Sequence, residues 1–241
     1  MEKIRINKYL SEIGYCSRRQ ADVLLQEGRI TIGTTPVELG TKVSTEDDVR
    51  VDGVPVRKDP EARHTYIAFN KPVGIVCTTD TRREKNNIID YIGHPERIFP
   101  IGRLDKPSEG LILLTSDGDI VNKILRSRNN HGKEYIVRVN KPITPSFLQK
   151  MRSGVPILGT VTKKCEVEQL DTMSFRIVLT QGLNRQIRRM CEYLGYEVKK
   201  LKRIRVLNIH LDLPVGKWRD LTDKELSKLE EILKDSEKTS D

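Results

Sequence analysis

The sequence predicts an α+β protein in which a small N-terminal domain precedes a larger domain with a mixed, largely antiparallel sheet. Short apolar runs alternate with helical patterns at spacings typical of hairpins, and they do not follow the order of a β-α-β repeat. The chain has 241 residues, which is enough for one small and one medium domain. No Gly-x-Gly-x-x-Gly segment follows a strand pattern and no Walker loop is present, so a nucleotide cofactor is not indicated.

The N-terminal domain is predicted over residues 1–57 and begins with two helices. An apolar stripe at helical spacing marks the first helix, and it consists of Ile4, Ile6, Tyr9, Leu10 and Ile13. This stripe ends at Gly14, which is a typical residue for a helix C-terminus. Ser17 can cap the second helix, which stops at Gly28.

Short strands complete the N-terminal domain. They are predicted at 29–32 and 48–56, where β-branched residues recur. Within the second segment, Asp52 and Gly53 form a pair that is typical of a two-residue hairpin turn. A charged segment with one proline, at 58–63, is expected to link this domain to the next.

The second domain is predicted over residues 64–233, followed by a polar tail at 234–241 that we expect to be disordered. Alternating and apolar runs open the domain at 65–72 and 74–79. Later strands are predicted at 111–115, 134–139, 164–170 and 175–180. Helical patterns predict helices at 88–93, 118–127, 145–152, 184–194 and 222–233.

The chain is basic, and its positive charge is concentrated in two segments. It has 43 Lys and Arg against 34 Asp and Glu, a net charge of +9. Residues 121–141 carry six basic and one acidic side chain, and residues 182–205 carry eight and two. Such clusters suit phosphate contacts along a nucleic acid. A membrane partner is disfavoured because no apolar run approaches the ~20 residues of a spanning helix, and the N-terminus lacks the apolar centre of a signal peptide. We expect a cytoplasmic protein.

The four cysteines are predicted to be free thiols in a reducing compartment. Cys16, Cys77, Cys165 and Cys191 are widely separated, and none belongs to a Cys-x-x-Cys pair. The four histidines are also scattered, without the spacing of metal ligands. A metal site is therefore not expected.

The order of helix, Ser-Arg-Arg, helix and Gly-Arg-Ile strand resembles the S4 RNA-binding domain. In that family the two helices present basic side chains to structured RNA. The resemblance implies that Lys8, Arg18, Arg19 and Arg29 contact RNA here. The chain departs from the family pattern after Ile32, where Ile-Gly-Thr-Thr-Pro replaces the usual Val-Asn-Gly turn.

Three further segments, in this order, resemble the pseudouridine synthases that modify ribosomal RNA. They are GRLD at 102–105, KEYIVRV at 133–139 and GLNRQIRRM at 182–190. The resemblance implies an antiparallel sheet crossed by a cleft, and an enzyme that converts uridine to pseudouridine. That reaction breaks the N1–C1′ bond, turns the base and joins C5 to C1′, so it needs neither cofactor nor metal. The base must be flipped out of the RNA.

The same resemblance assigns candidate catalytic residues. Asp105 is the catalytic carboxylate, which either attacks C1′ or removes the 2′ proton. Tyr135 stacks on the base, and its hydroxyl helps to move the C5 proton. Arg188 pairs with Asp105, although a solvated position on the helix surface is the alternative.

Four more residues are candidates for binding the substrate. Arg103 precedes Asp105 by two residues, so in an extended segment both side chains point the same way, and Arg103 can fill the gap that the base leaves. Leu201 matches a position that lines the uracil pocket. Arg185 and Arg189 are four residues apart on the predicted helix, so they share a face directed to solvent or phosphate.

The segments around 154–165 and 181–203 resemble the F type of the large-subunit branch of these synthases. This implies a uridine in 23S rRNA, with a tRNA as a further target, and a monomeric enzyme. The competing hypothesis is a non-catalytic S4-type ribosome assembly factor. It explains the charge and the N-terminal domain equally well, but it does not explain the joint presence of Asp105, Tyr135 and Arg188.

Overall fold

The computed structural model describes residues 3–57, 63–125 and 130–234. The chain divides into two compact units, Met1–His64 with Ser116–Gly118, and Thr65–Thr115 with Asp119–Asp241. Most of the predicted linker and tail, 58–62 and 235–241, lies outside the described residues. Within the described part of the chain, every helix is too short or too polar to cross a bilayer.

The first unit has the two predicted helices, α1 (Ile6–Glu12) and α2 (Arg18–Gln26). Ser17 caps α2 as predicted, because its hydroxyl accepts from the backbone of Gln20 while the Gln20 side chain accepts from the backbone of Ser17. Both helices bury apolar side chains in one core, which includes Tyr9, Leu10, Ala21, Leu25, Ile30 and Val49.

Six short strands accompany these helices: β1 (Ile4–Arg5), β2 (Ile30–Ile32), β3 (Thr35–Pro36), β4 (Lys42–Val43), β5 (Val49–Val51) and β6 (Val54–Pro55). β1 pairs with β4, and the other four form an antiparallel sheet in the order β3-β2-β5-β6. The hairpin turn at Asp52 and Gly53 is confirmed, since both residues have positive φ, 51° and 79°. The segment after Ile32 forms the turn between β2 and β3, with Gly33 at φ 58°.

The second unit contains a nine-stranded sheet and a separate two-stranded hairpin. Its strands are β7 (Tyr66–Lys71), β8 (Phe99–Pro100), β9 (Glu109–Thr115), β10 (Lys133–Val139), β11 (Pro156–Ile157), β12 (Thr160–Val161), β13 (Glu166–Gln169), β14 (Ser174–Leu179), β15 (Val198–Val206), β16 (Ile209–His210) and β17 (Trp218–Asp220). The main order is β13-β14-β10-β15-β9-β7-β17, with β16 beside β15 and β8 beside β9. The described pairs are antiparallel except β9 with β15, so the prediction of a mixed, largely antiparallel sheet is confirmed.

Five helices pack around this sheet: α3 (Ile88–Ile92), α4 (Gly118–Leu125), α5 (Pro145–Ser153), α6 (Gln186–Tyr193) and α7 (Asp223–Leu233). Local signals explain two of their starts. Thr144 caps α5 and is followed by proline at the first helical position, and Thr222 forms a capping box with Glu225 at α7. The predicted helices are confirmed among the described residues, with one shift at the start of α6 that affects the site. The predicted end of α4, at 126–127, lies outside the described residues.

The helices cover different parts of the sheet. α5 and α6 pack on β10 and β14 through a core that includes Phe147, Met151, Phe175, Ile177, Ile187 and Met190. α4 and α7 share a core with Ala68, Leu111 and Leu113, whereas α3 packs with Phe69, Ile112 and Leu114. Because neighbouring residues of β7 and β9 enter different cores, this half of the sheet is covered on both faces.

The longest strand, β15, was not among the predicted strands. Its sequence, VKKLKRIRV, is dominated by cations, and only Val198, Leu201 and Val206 supply buried apolar side chains. A register shift in its pairing with β10 further breaks the two-residue alternation that marks a strand. The sequence therefore indicated the positive charge of this segment but did not predict that it forms a strand in the middle of the sheet.

Candidate active site

The predicted catalytic residues meet in a cavity of about 440 Å³ in the second unit. Asp105 enters it from the segment before β9, Tyr135 from β10, Leu201 from β15 and Arg188 from α6. A larger cavity of about 540 Å³ lies beside α5 and the end of α6, but none of the predicted site residues lines it. The smaller cavity is therefore the better candidate, because it concentrates charged groups around an aromatic ring.

A tight segment between β8 and β9 places Asp105 in the cavity. Gly102 has φ 76°, and a side chain there would meet the methyl groups of Leu125 at 2.8 Å, so both backbone and space favour glycine. Leu104 is buried, and its backbone N–H donates to the sulfur of Cys77 at 3.3 Å. The backbone N–H of Ser108 then donates to the carbonyl of Asp105 at 3.0 Å, which closes the turn.

A buried lysine that the sequence analysis did not single out supports this segment. Lys71 is fully buried, and its ammonium donates to the carbonyls of Pro72 and Ile75 at 2.8 Å each. Burial lowers the pKa of Lys71, and nearby Asp105 acts in the opposite direction. Within the turn that Lys71 holds, the backbone N–H of Gly74 donates to the carbonyl of Lys106. This hydrogen bond joins the turn to the Asp105 segment.

Arg188 lies beside Asp105, with its Nε 3.7 Å from Oδ2 of the carboxylate. Its terminal nitrogens donate to the carbonyls of Val198 and Pro107 and to the hydroxyl of Ser108, at 3.1–3.3 Å. Nε itself is buried and has no hydrogen-bond partner among the described residues. Burial lowers the pKa of Arg188, and the charge of Asp105 opposes that shift. A small movement of the carboxylate would give Nε a hydrogen bond, as is common when a substrate completes a site.

The predicted shared face of Arg185 and Arg189 is wrong. α6 begins at Gln186, and Arg185 precedes it with φ 49°, a left-handed conformation outside the helix. Arg185 lines the cavity. Arg189 instead turns back to Asn184, donating to both its backbone and side-chain oxygens at 3.1 and 3.3 Å. The helical spacing argument fails because only one of the two residues has helical geometry.

Tyr135, Leu201 and Arg103 also line the cavity. Tyr135 is half-buried and packs against two of the apolar cores, the one that contains Phe175 and the one that contains Phe69. Leu201 is 6% exposed, so it is both part of the sheet core and part of the cavity wall. Arg103 is exposed and, with Asp105, also borders a neighbouring depression of about 410 Å³. The Arg103 segment therefore forms a wall between the two spaces.

Two cavity residues were missed as site residues, Lys133 and Arg203. Lys133 is 8% exposed and Arg203 is 3% exposed. Both residues belong to the basic clusters at 121–141 and 182–205, for which we expected phosphate contacts. Their burial in the cavity wall argues against a phosphate contact for these two residues. Their alternation with Tyr135 and Leu201 along β10 and β15 was the signal that could have found them.

Some other members of the basic clusters have partners within the chain, and two fall outside the described residues. Arg205 and Arg176 both pair with Glu134, at 2.7 and 3.1 Å. Lys123 donates to the carbonyl of Leu233, at the end of α7. Arg126 and Arg128 lie among residues that the structure does not describe.

The RNA-contact candidates of the first unit differ in their surroundings. Arg18 and Arg19 are exposed in the first turn of α2, and they form no ion pair with described residues. Lys8 lies 3.0 Å from Glu12. Arg29 is held by Asp52 and Glu27, at 2.7 and 3.1 Å, and the hydrogen bonds that it donates to these two carboxylates raise its pKa.

The cysteines are free, as predicted. Burial raises the pKa of Cys191 to about 12 and that of Cys165 to about 11, so both thiols are protonated at neutral pH. Cys77 is also buried, with its pKa raised by burial. Its role in the site is to accept a hydrogen bond from Leu104.

Comparison with known families and proteins agrees with this geometry. The RNA pseudouridylate synthase family matches residues 65–193, and the S4 domain family matches residues 4–49. The chain is 53% identical to the dual-specificity RNA pseudouridine synthase RluF of Escherichia coli, over 97% of this chain and 80% of that protein. It is 33% identical to ribosomal large subunit pseudouridine synthase B of Bacillus subtilis, over 93% and 95% of the two chains.

A solved structure gives the same result for the whole fold. The crystal structure of a pseudouridylate synthase superposes with a TM-score of 0.68 and 27% sequence identity, covering 94% of this chain and 99% of that one. The family match spans the segments that carry Asp105, Tyr135 and Arg188. With an S4 domain preceding its catalytic domain, the chain belongs to the RNA pseudouridine synthase family and isomerises uridine to pseudouridine in RNA.

Proposed function

We propose that uridine is isomerised in the cavity around Asp105, with Asp105 as the catalytic carboxylate. Tyr135 stacks on the flipped base, and Leu201 contacts its apolar edge. Arg188 orients Asp105, and Arg103 occupies the space that the base leaves in the RNA. The observation that carries this assignment is the 3.7 Å separation of Arg188 Nε and Asp105 Oδ2 in the cavity that Tyr135 lines.

The geometry is compatible with both chemical roles of Asp105. The carboxylate can attack C1′ as the N1–C1′ bond breaks, or it can remove the 2′ proton. Its side chain is 31% exposed, so a sugar can reach it from the cavity mouth. Arg188 is 13% exposed and is fixed by three hydrogen bonds, so it holds the carboxylate without itself needing to move.

The test is Asp105→Asn, assayed by tritium release from RNA that carries [5-³H]uridine. We expect turnover to be abolished while RNA affinity stays near that of the wild type, because phosphate contacts supply most of the affinity. Asp220→Asn, an exposed carboxylate on the edge strand β17, is the matched control and should be fully active. Turnover of Asp105→Asn within tenfold of the wild type would show that another group carries the chemistry.

We further propose that the target is a uridine of 23S rRNA and that a tRNA uridine is a second target. The similarity to a large-subunit synthase supports the first, and the dual specificity named for the Escherichia coli relative supports the second. A non-catalytic assembly factor is not favoured, because the matching family consists of synthases. We propose a monomeric cytoplasmic enzyme with an RNA-binding domain over 1–57, a linker over 58–63, a catalytic domain over 64–233 and a tail over 234–241.

Carbodiimide mapping of RNA from cells with and without the gene tests the target. We expect one modified uridine in 23S rRNA to disappear on deletion and to return with the wild-type gene but not with the Asp105→Asn gene. Mapping of the tRNA pool in the same cells tests the second target. An unchanged 23S map in the deleted strain would contradict the rRNA assignment without affecting the assignment of the catalytic residues.

In the first unit, we propose that Arg18 and Arg19 make the main phosphate contacts. They occupy the first turn of α2, where positive charge opposes the helix dipole and is unfavourable for the helix itself. Lys8 and Arg29 contribute less, because each already contacts a carboxylate. Arg18 and Arg19 form no ion pair with described residues, so the phosphates of an RNA backbone would be their anionic partners.

A further inference from the structure

Two buried cations in the active-site cavity have no carboxylate partner among the described residues. Lys133 and Arg203, here called the cation pair, are the most buried charged side chains of the cavity wall. Arg203 donates from Nε to the carbonyl of Leu111 at 2.6 Å, which orients the guanidinium but leaves its charge in place. An uncompensated buried charge opposes folding, so its presence beside a catalytic group points to an anionic species that forms there.

The sheet places both members of the cation pair beside Tyr135. Lys133 precedes Tyr135 by two residues on β10, so both side chains point to the same face. Arg203 lies directly opposite Tyr135 on β15, because the register shifts between Glu134 and Tyr135. A base stacked on Tyr135 would therefore have a cation at two of its edges.

We propose that Lys133 and Arg203 bind the carbonyl oxygens of the flipped uracil and stabilise the negative charge that the ring acquires as the N1–C1′ bond breaks. The bonding electron pair passes to N1 and is shared with O2, O4 and C5, while C1′ is captured by Asp105 or the sugar loses its 2′ proton to Asp105. C5 then joins C1′, either as the bond between C1′ and Asp105 breaks or as Asp105 returns the 2′ proton to the sugar. C5 loses its proton and N1 gains one, so the net change is an isomerisation. This inference rests on the proposed role of Asp105.

The position of the pair favours the base over a phosphate. Lys133 and Arg203 are buried beside an aromatic ring, where a planar base fits and a hydrated phosphodiester does not. Arg103 and Arg185 are exposed at the same cavity and are better placed for the backbone of the RNA. The cation pair is therefore assigned to charge that develops during the reaction rather than to affinity.

The charge of Lys133 should make the reaction sensitive to alkaline pH. Burial, and then the neighbouring charge of Arg203, lower the pKa of Lys133 to about 8. The other ionisable groups of the cavity are Arg103, Asp105, Tyr135, Arg185 and Arg188. Asp105 is the single carboxylate among these described residues. Because the pKa of Lys133 is about 8, its ammonium loses a proton as the pH rises through that value, and the site then loses a positive charge.

Three substitutions of Lys133 separate charge from hydrogen bonding. Lys133→Met removes both, Lys133→Gln keeps a donor without charge, and Lys133→Arg keeps the charge at all accessible pH values. Single-turnover rates on [5-³H]uridine RNA are measured from pH 6 to 10, at saturating and at subsaturating enzyme. RNA affinity is measured across a salt series. Lys150→Met, an exposed lysine outside this cavity, is the control.

We expect Lys133→Met and Lys133→Gln to lower the saturating rate by about 10²-fold, which is typical for the loss of one group that stabilises developing charge. Lys133→Arg should recover the rate to within about tenfold. The fall in kcat/KM above pH 8 that we expect for the wild type should be absent in all three variants. RNA affinity and its salt dependence should match those of the wild type.

Three results would overturn the proposal. A Lys133→Met rate within threefold of the wild type at every pH would show that the charge is not used. A normal saturating rate with weakened, less salt-dependent binding would assign Lys133 to phosphate. Lowered thermal stability in Lys133→Met and Lys133→Gln, with no recovery in Lys133→Arg, would assign it to the fold. In each case an inactive Asp105→Asn would leave the proposed function intact.

Discussion

Asp105 lies among cations that differ in what compensates them. Arg188 approaches the carboxylate itself, at 3.7 Å, and Lys71 is held by two backbone carbonyls. Lys133 and Arg203 pair with no carboxylate among the described residues, and Arg203 donates from Nε to the carbonyl of Leu111. Clustering buried like charges lowers the stability of the folded protein. The cavity therefore carries charges that suit an anion, at a cost in stability.

Lys133→Met should make the protein more stable, even though it slows the reaction. A pKa of about 8 against an ordinary value of 10.5 corresponds to about 3 kcal/mol of unfavourable free energy carried by the buried charge at neutral pH. Between pH 8 and 10.5 the unfolded chain binds more protons at this site than the folded one, so the stability of the wild type should rise with pH in that window.

Denaturant unfolding at pH 7 and pH 10 measures both effects. We expect Lys133→Met to gain up to about 3 kcal/mol at pH 7 and to lose the alkaline rise. Lys150→Met provides the reference for removing an exposed lysine. A destabilised Lys133→Met with an unchanged pH dependence would mean that the lysine is compensated in solution.

Tyr135→Phe should keep the stacking surface and lose the hydroxyl. We predict RNA affinity within twofold of the wild type and a loss of at least about tenfold in single-turnover rate, the smaller end of the usual effect of a proton-transfer group. Tyr193→Phe, an exposed tyrosine outside the cavity, is the matched control. Equal rates for Tyr135→Phe and wild type would leave Tyr135 with stacking alone.

At the level of elements, the parallel contact between β9 and β15 brings the separate parts of the site together. β9 follows the Asp105 segment, and β15 carries Leu201 and Arg203. The two strands meet where Gly110 pairs with Arg203. A Cβ on Gly110 would lie 2.2 Å from the backbone oxygen of Arg203, and φ is 108°, so only glycine permits this approach.

Gly110→Ala should therefore damage both stability and the site. We expect a loss of at least about 3 kcal/mol, from backbone strain and from separation of the two strands, together with slower turnover. Gly159→Ala is the matched control, because Gly159 also has positive φ, 72°, but faces open space. It should cost only the conformational strain, about 1–2 kcal/mol. Equal losses in the two variants would show that the strands can move apart without cost.

For the molecule as a whole, the main phosphate contacts proposed for the N-terminal helices and the residues proposed for chemistry lie in different compact units. Arg18 and Arg19 belong to the first unit, whereas Asp105, Tyr135 and Arg188 belong to the second. The second unit has its own cores on both faces of the β7–β9 half of the sheet. Binding and turnover should therefore respond to different substitutions.

The double variant Arg18→Ala and Arg19→Ala should weaken RNA binding and leave the rate at saturating RNA unchanged. Loss of two phosphate contacts should reduce the log–log salt slope by about 1.4–1.8. Binding is measured across a salt series, with Lys150→Ala and Lys224→Ala as a control for removing two exposed charges from the second unit. An unchanged slope would exclude these arginines as phosphate contacts.

Local signals in the sequence determined much of the fold, and a family resemblance supplied the candidate for the catalytic carboxylate. Ser17 specified the start of α2, and Asp52 with Gly53 specified a hairpin, because capping and turn preferences depend on a few neighbouring residues. Asp105 and Tyr135 were found because the segments around them resemble those of a known family. Such signals depend on residues that are neighbours in sequence, so they can be recognised without knowing the tertiary contacts of the folded protein.

Tertiary structure alone decided which cations are buried. Lys133 and Arg203 lie in basic segments, as Arg189 does, yet the first two line the cavity and Arg189 turns back to Asn184. Burial depends on the strands and helices that cover a residue, and the cation-rich β15 gave little sign of its central place in the sheet. The environment of a charge is set by groups distant in sequence, so its chemistry becomes visible only when the chain has folded.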